Sequence, residues 1–143
     1  MVQTNVQYAN VLDALGRFPE AEVKYRALVQ LLADKALPPM LIQQVMNNLA
    51  FNLLKAGRVA DSRAEFALLL AHSERTNKGT NPYAQYLSNS ANADNLAGEF
   101  ASAENKLTAA IAILLKEMPA DSPVVIRAQK RLEAARARKS EMH

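Results

Sequence analysis

The sequence predicts an all-α chain built of repeated helical hairpins. Three observations carry this: evenly spaced glycines, apolar residues recurring at three- and four-residue steps, and turn-forming clusters between the periodic stretches. Gly16, Gly57 and Gly98 stand 41 residues apart each time, and the chain's only other glycine is Gly79. The same step links Gln3, Gln44 and Gln85; Ala9, Ala50 and Ala91; Phe18, Val59 and Phe100; and Pro82 with Pro123. A period in this range belongs to solenoids of stacked supersecondary units. At 143 residues, 50% apolar and 22% charged, the chain has the size and balance of about one globular domain. It is rich in alanine and leucine and only 6% aromatic, which favours helix over strand.

Each unit reads as two helices. In the first unit an opening helix around Tyr8, Ala9 and Leu12 ends at Gly16, whose permissive backbone suits a helix terminus. No capping residue precedes Gln3, so the chain is expected to begin almost inside this helix and to be a segment of a longer protein, Met1 being added or internal. A second helix follows, with Pro19 in its first turn, where a missing N–H costs nothing. In the second unit Val45, Met46, Leu49, Ala50 and Leu53 form one amphipathic stripe that stops at Gly57. The next helix starts near Val59 to Asp61 and should carry Phe66, Leu69 and Leu70 inward. Small residues at Ala21, Ser62 and Ala103 fit close helix crossings.

The third unit places Ser90 and Asp94 where the earlier ones have Tyr8 and Leu12, or Leu49 and Leu53. Its first helix is therefore expected to pack more weakly, with Asp94 satisfied by Ser90 or, preferably, by Arg127 or Arg131. The stretches "LPPM", "TNKGTNP" and "PADSP" break the units apart. After the last of them, Val125, Ala128, Leu132 and Ala135 make the stripe of a closing helix.

Chemistry finds little purchase. The absence of cysteine excludes disulfides and thiolate catalysis. No Gly-rich phosphate loop, HExxH or paired-carboxylate motif is present, so no enzyme activity, catalytic residue, metal or cofactor is expected. Of the two histidines, His72 lies in "HSER", read as a solvated surface turn, and the other is His143. The net charge of +3 is unevenly spread: residues 127–143 sum to +4 and the rest to −1. That basic tail, "RAQKRLEAARARK", would attract phosphates but has no interleaved aromatics, and is expected to be a solvated helix face, with no nucleic-acid partner. No apolar run approaches the roughly 20 residues of a membrane span, and no secretory signal opens the chain; no membrane partner and a cytoplasmic location are expected.

The order small residue, glycine, aromatic, small residue, aromatic, best seen in "NNLAFNLLKAGRVADSRAEFALLL", resembles the tetratricopeptide repeat (TPR). The asparagine pair and the long period are most similar to the kinesin-light-chain type, rather than the form of about 34 residues. The resemblance covers nearly the whole chain. It implies a single domain, a right-handed α-solenoid of three TPR-like hairpins at about 1–37, 38–78 and 79–120, with a closing helix at about 122–140. It also implies that one face of each unit's first helix lines a concave groove. On that face lie Gln3, Gln7 and Asn10; Gln44, Asn47, Asn48 and Phe51; and Gln85, Asn89, Asn92 and Asn95. Asparagine is a poor helix former, so propensity does not account for so many inside helices. A carboxamide both donates and accepts, and can hold a peptide's N–H and C=O together. The same amides could equally keep the surface wet or bond between neighbouring helices. Apolar pockets near Phe51, Leu54 and Tyr86 would add affinity, and Lys55 could meet a ligand carboxylate.

The expected function is thus a protein-interaction module. It would hold an extended or helical peptide through Gln7, Asn10, Gln44, Asn48, Phe51, Lys55, Gln85, Asn89 and Asn92. The alternatives are a spacer or self-association segment pairing through its uncapped first helix as a homodimer, and a secretion or assembly chaperone.

Overall fold

The computed structural model describes residues 2–35 and 37–142; Met1 and His143, both named in the sequence reading, lie outside them. Among the described residues there are seven α-helices and no strand. They are α1 (Val2–Ala14), α2 (Phe18–Ala33), α3 (Pro39–Lys55), α4 (Val59–Asn77), α5 (Asn81–Leu96), α6 (Phe100–Leu114) and α7 (Pro123–Glu141).

The three periodic glycines all serve one turn. Gly16, Gly57 and Gly98 have φ of 77°, 81° and 81°, a region that costs a side-chain-bearing residue about 1–2 kcal/mol. With glycine there, the last carbonyls of α1, α3 and α5 find donors. Arg17 N donates to Leu12 O at 2.9 Å, Arg58 N to Leu53 O at 2.9 Å and Glu99 N to Asp94 O at 2.8 Å. The glycine N–H in each turn donates to the carbonyl three residues back, which completes a Schellman motif. Prolines stand in the first turns of α2, α3, α5 and α7, and Thr80 caps α5 through its hydroxyl.

The chain divides into two compact units, Met1–His72 and Ser73–His143, the boundary falling within α4. In the first unit α1 packs on α2, α2 on α3, and α1 also touches α3. Val6, Ala9, Leu12, Tyr25, Leu28, Leu49 and Leu53 are buried together in its core. Burying each leucine fully is worth about 1.5–3 kcal/mol. The start of α4 joins α3 through the Phe66 ring, edge-on to Phe51 at 5.7 Å, and through Ser62 Oγ, which donates to Ala50 O at 2.7 Å. Serine thus keeps the small size that the crossing needs while its hydroxyl is satisfied. Phe66 and Leu69 are buried, whereas Leu70 is only half-buried.

In the second unit α5 packs on α6, α6 on α7, and α5 touches α7. Leu87, Ala91, Phe100, Leu107 and Leu114 are buried there, and so are Val125, Ala128, Leu132 and Ala135, the stripe expected of the closing helix.

Two expectations need correcting. His72 is not in a solvated turn: it lies inside α4, half-buried, its Nδ1 2.8 Å from Gln43 Nε2. The cation beside Asp94 is Lys106 of α6, not the arginine preferred from the sequence. Lys106 Nζ lies 2.8 Å from Asp94 Oδ2 and also donates to Ser90 Oγ, while Ser102 donates to the same carboxylate oxygen. The polar pair that replaces two apolar residues is therefore buried and bonded.

Candidate functional site

In the first unit a cleft of about 320 Å³ opens between α1, α2 and α3. Its walls include Asn10 and Asp13 from α1, Tyr25 from α2, and Asn48, Phe51 and Lys55 from α3. Four residues picked from the periodic pattern, Asn10, Asn48, Phe51 and Lys55, thus meet at one place. The reason is register: Asn10 and Asn48 lie on helices that the core alanines Ala9 and Ala50 orient alike, both fully buried.

Asn10 is anchored. Its Oδ1 accepts from Tyr25 OH at 2.5 Å and from Asn48 Nδ2 at 3.2 Å. Burial, and then the charge of Asp13, push the Tyr25 phenol up to about 12, so it stays a donor. Lys55 meets a carboxylate, but an internal one: it forms an ion pair with Asp13, whose other oxygen accepts from Asn52 Nδ2 at 2.9 Å. Asn52 also donates to Phe18 O, and its own Oδ1 is buried without a partner.

The second unit carries a cleft of about 340 Å³ between α5, α6 and α7. Asn92, Asn95 and Leu96 of α5 form one side, Lys130, Arg131 and Arg138 of α7 the other, and Phe100 the floor. Arg131 Nη1 donates to Ser88 Oγ at 2.9 Å and to Asn89 Oδ1 at 3.2 Å, so Asn89 is bound to α7. Asn95 Nδ2 donates to Arg131 O at 3.1 Å, and Asn95 Oδ1 is buried without a partner. The Arg138 guanidinium lies 5.5 Å from the centre of the Phe100 ring.

Of the expected contact residues, Asn92 lines this second cleft, and Gln7, Gln44 and Gln85 line neither. Gln7 and Gln44 are exposed and Gln85 is half-buried. Asp13 was not anticipated from the sequence, and the three cations of α7 entered there only within a basic tail expected to be a solvated helix face. Asp13 gives no local sign of its partner, which is far along the chain. Lys130 does carry a signal: it stands one period beyond Asn89 and two beyond Asn48, in the register of the carboxamides.

No protein-family model matches the sequence, and no curated protein matches it. Among solved structures, the chain is similar to a putative kinesin light chain with nearly identical TPR-like repeats from Podosopora anserina. Identity is 17% over 98% of this chain and 67% of that one, with a TM-score of 0.87. It is also similar to BtubC (BKLC) from P. vanneervenii, at 21% identity over 94% of this chain and 61% of that one, with a TM-score of 0.75. A third is PcrH from Pseudomonas aeruginosa, at 15% identity over 94% and 91% of the two chains, with a TM-score of 0.73. The fold is that of TPR-like helical-repeat proteins.

Proposed function

We propose that this chain is a protein-interaction module, built of three repeat hairpins and a closing helix, that holds a peptide segment of its partner against the first helices of its repeats. The observation carrying this reading is the convergence of Asn10, Asn48, Phe51 and Lys55, all chosen from the sequence, on one cleft. Carboxamides beside an aromatic edge can take a peptide's backbone while leaving its side chains free to vary. Each net hydrogen bond contributes about 0.5–1.5 kcal/mol, so four or five of them, after ordering costs, support roughly micromolar affinity. Such affinity suits a module that exchanges partners. Repeat folds of this kind host many partners, so the site and not the fold carries the argument. No helix among the described residues is long and apolar enough to cross a membrane, and we place the module in the cytoplasm.

The test uses peptides selected from a random displayed library on the full chain. Asn48→Ala and Asn92→Ala should each weaken the selected peptides by about tenfold, or about 1.4 kcal/mol, in fluorescence polarisation, with helicity by circular dichroism unchanged. Unchanged affinity in both variants would remove the carboxamides from the mechanism.

A self-association segment is the second reading, and one observation favours it. Tyr8 and Val11 on α1 are 54% and 55% exposed, although Leu49 and Asn52, one period later, are buried.

A further inference from the structure

The two clefts are the same place in the repeat, two periods apart. Asn10, Asp13 and Asn48 of the first correspond to Asn92, Asn95 and Lys130 of the second. Their scaffolds match and their charges do not. In the first cleft Asp13 neutralises Lys55. In the second, asparagine replaces that aspartate, and no carboxylate is among the lining residues, while Lys130, Arg131 and Arg138 are.

Among the described residues neither Lys130 nor Arg131 is paired with a carboxylate; Arg131 reaches only the neutral Ser88 and Asn89. Arg138 is different, since it reaches Glu141 at 3.3 Å. Arg131 is half-buried, and burial first, then the neighbouring Arg127, holds its guanidinium down to about 10. A partly desolvated cation without a counter-ion is unfavourable, and an anion brought by a ligand would relieve it.

We propose that this cleft receives the phosphate monoester of a phosphoserine or phosphothreonine in a bound peptide, shared between Lys130 and Arg131. The proposal rests on the peptide-binding reading above. Charge selects the group: a phosphate monoester carries about −1.5 to −2, which matches two unpaired cations, whereas a lone carboxylate leaves one uncompensated. Chemistry agrees, because a guanidinium has five N–H donors and two hydrogen bonds to Ser88 and Asn89 do not exhaust them. Exposed Leu96 lies beside the cations for the peptide's neighbouring apolar atoms. A nucleic-acid strand fits less well, since single strands are held by base stacking. The aromatic ring in this wall, Phe100, is buried and lies against Arg138.

The experiment uses the full chain and fluorescent short-peptide pools, degenerate around a fixed central phosphoserine, serine, glutamate or glutamate pair. The phosphoserine pool should bind about tenfold tighter than the serine pool. Lys130→Ala, at an exposed position, should remove most of that difference and leave serine-pool binding unchanged; Arg131→Gln should also remove most of the difference. Asn92→Ala, in the same cleft, should weaken both pools alike. Equal binding of phosphoserine and serine pools would overturn this proposal and leave the peptide reading standing, while failure of every pool to bind would sink both. A glutamate-pair pool as tight as the phosphoserine pool would reassign the cleft to acidic peptides. Competition by inorganic phosphate at the phosphopeptide's own concentration, or by an oligo(dT) strand that loses binding in the same variants, would equally overturn it.

Discussion

Asp94 occupies a place where the first two units carry Leu12 and Leu53, both buried, and it is just as buried at 1% exposure. A carboxylate survives there because Lys106 and Ser102 both reach it. Lys106 is 26% exposed on its side chain, so the pair is a buried anion with a cation at the water's edge. Removing the cation alone leaves an uncompensated charge, and Lys106→Met should destabilise the chain by about 3 kcal/mol in urea unfolding. The double change Asp94→Leu with Lys106→Met restores the apolar residue of the other units and should recover to within about 1 kcal/mol of the parent. A single variant as stable as the parent would mean that Asp94 is held by something other than this ion pair. The sequence showed that Asp94 was out of place. It did not show which cation answers it, because candidates on α6 and α7 are equally reachable on paper and only packing chooses.

At the scale of elements, two carboxylates tie helices together, one in each unit. Glu22 on α2 accepts from Arg26 on its own helix and from Arg58 just before α4, and Arg26 also reaches Glu65 on α4. Glu104 on α6 takes Arg136 and Lys139 of α7. Burial pushes the Glu22 carboxyl up, but the hydrogen bonds from Arg26 and Arg58 outweigh it and hold it below the usual range. Hydrogen bonds from Lys139 and Arg136 do the same for Glu104. A carboxyl lowered in the folded state contributes stability above its unfolded pKa and loses it as pH falls through the folded one. The urea midpoint should therefore drop between about pH 5 and about pH 3, and Glu22→Gln with Glu104→Gln should flatten that drop. A parent and a double variant with superimposable pH profiles would show these links to be inert. Such links depend on long-range partners and are hard to read from sequence. The turns were easy, because a positive φ at Gly16, Gly57 and Gly98 is a local demand that glycine meets. The first cleft was partly legible for a related reason: Ala9 and Ala50, one period apart, mark the same core face on α1 and α3, and Asn10 and Asn48 lie beside it. Asp13 was not, since an acid inside an apolar stripe says nothing of a lysine on another helix. Nor was Arg131, since a charge total over the tail hides which of its cations face α5, although the period does mark Lys130.

For the molecule as a whole, charge is segregated, with +4 gathered in residues 127–143 and −1 elsewhere. Exposed apolar residues are spread along the chain, and on α1 they are Tyr8 and Val11, with Leu15 just past its end. As a peptide-binding module the chain should scatter light as a single copy at all concentrations up to the highest soluble one. A molar mass that climbs toward two copies, and that Tyr8→Lys with Val11→Lys returns to one, would move the balance to self-association through α1. The ion pair in the first cleft has a bearing on choice of guest. Asp13 is a resident anion already seated against Lys55, so an incoming acidic side chain would meet repulsion and an occupied seat, while an uncharged one would not. In the proposed peptide-binding role, Asp13 would thereby turn acidic guests away from this one address.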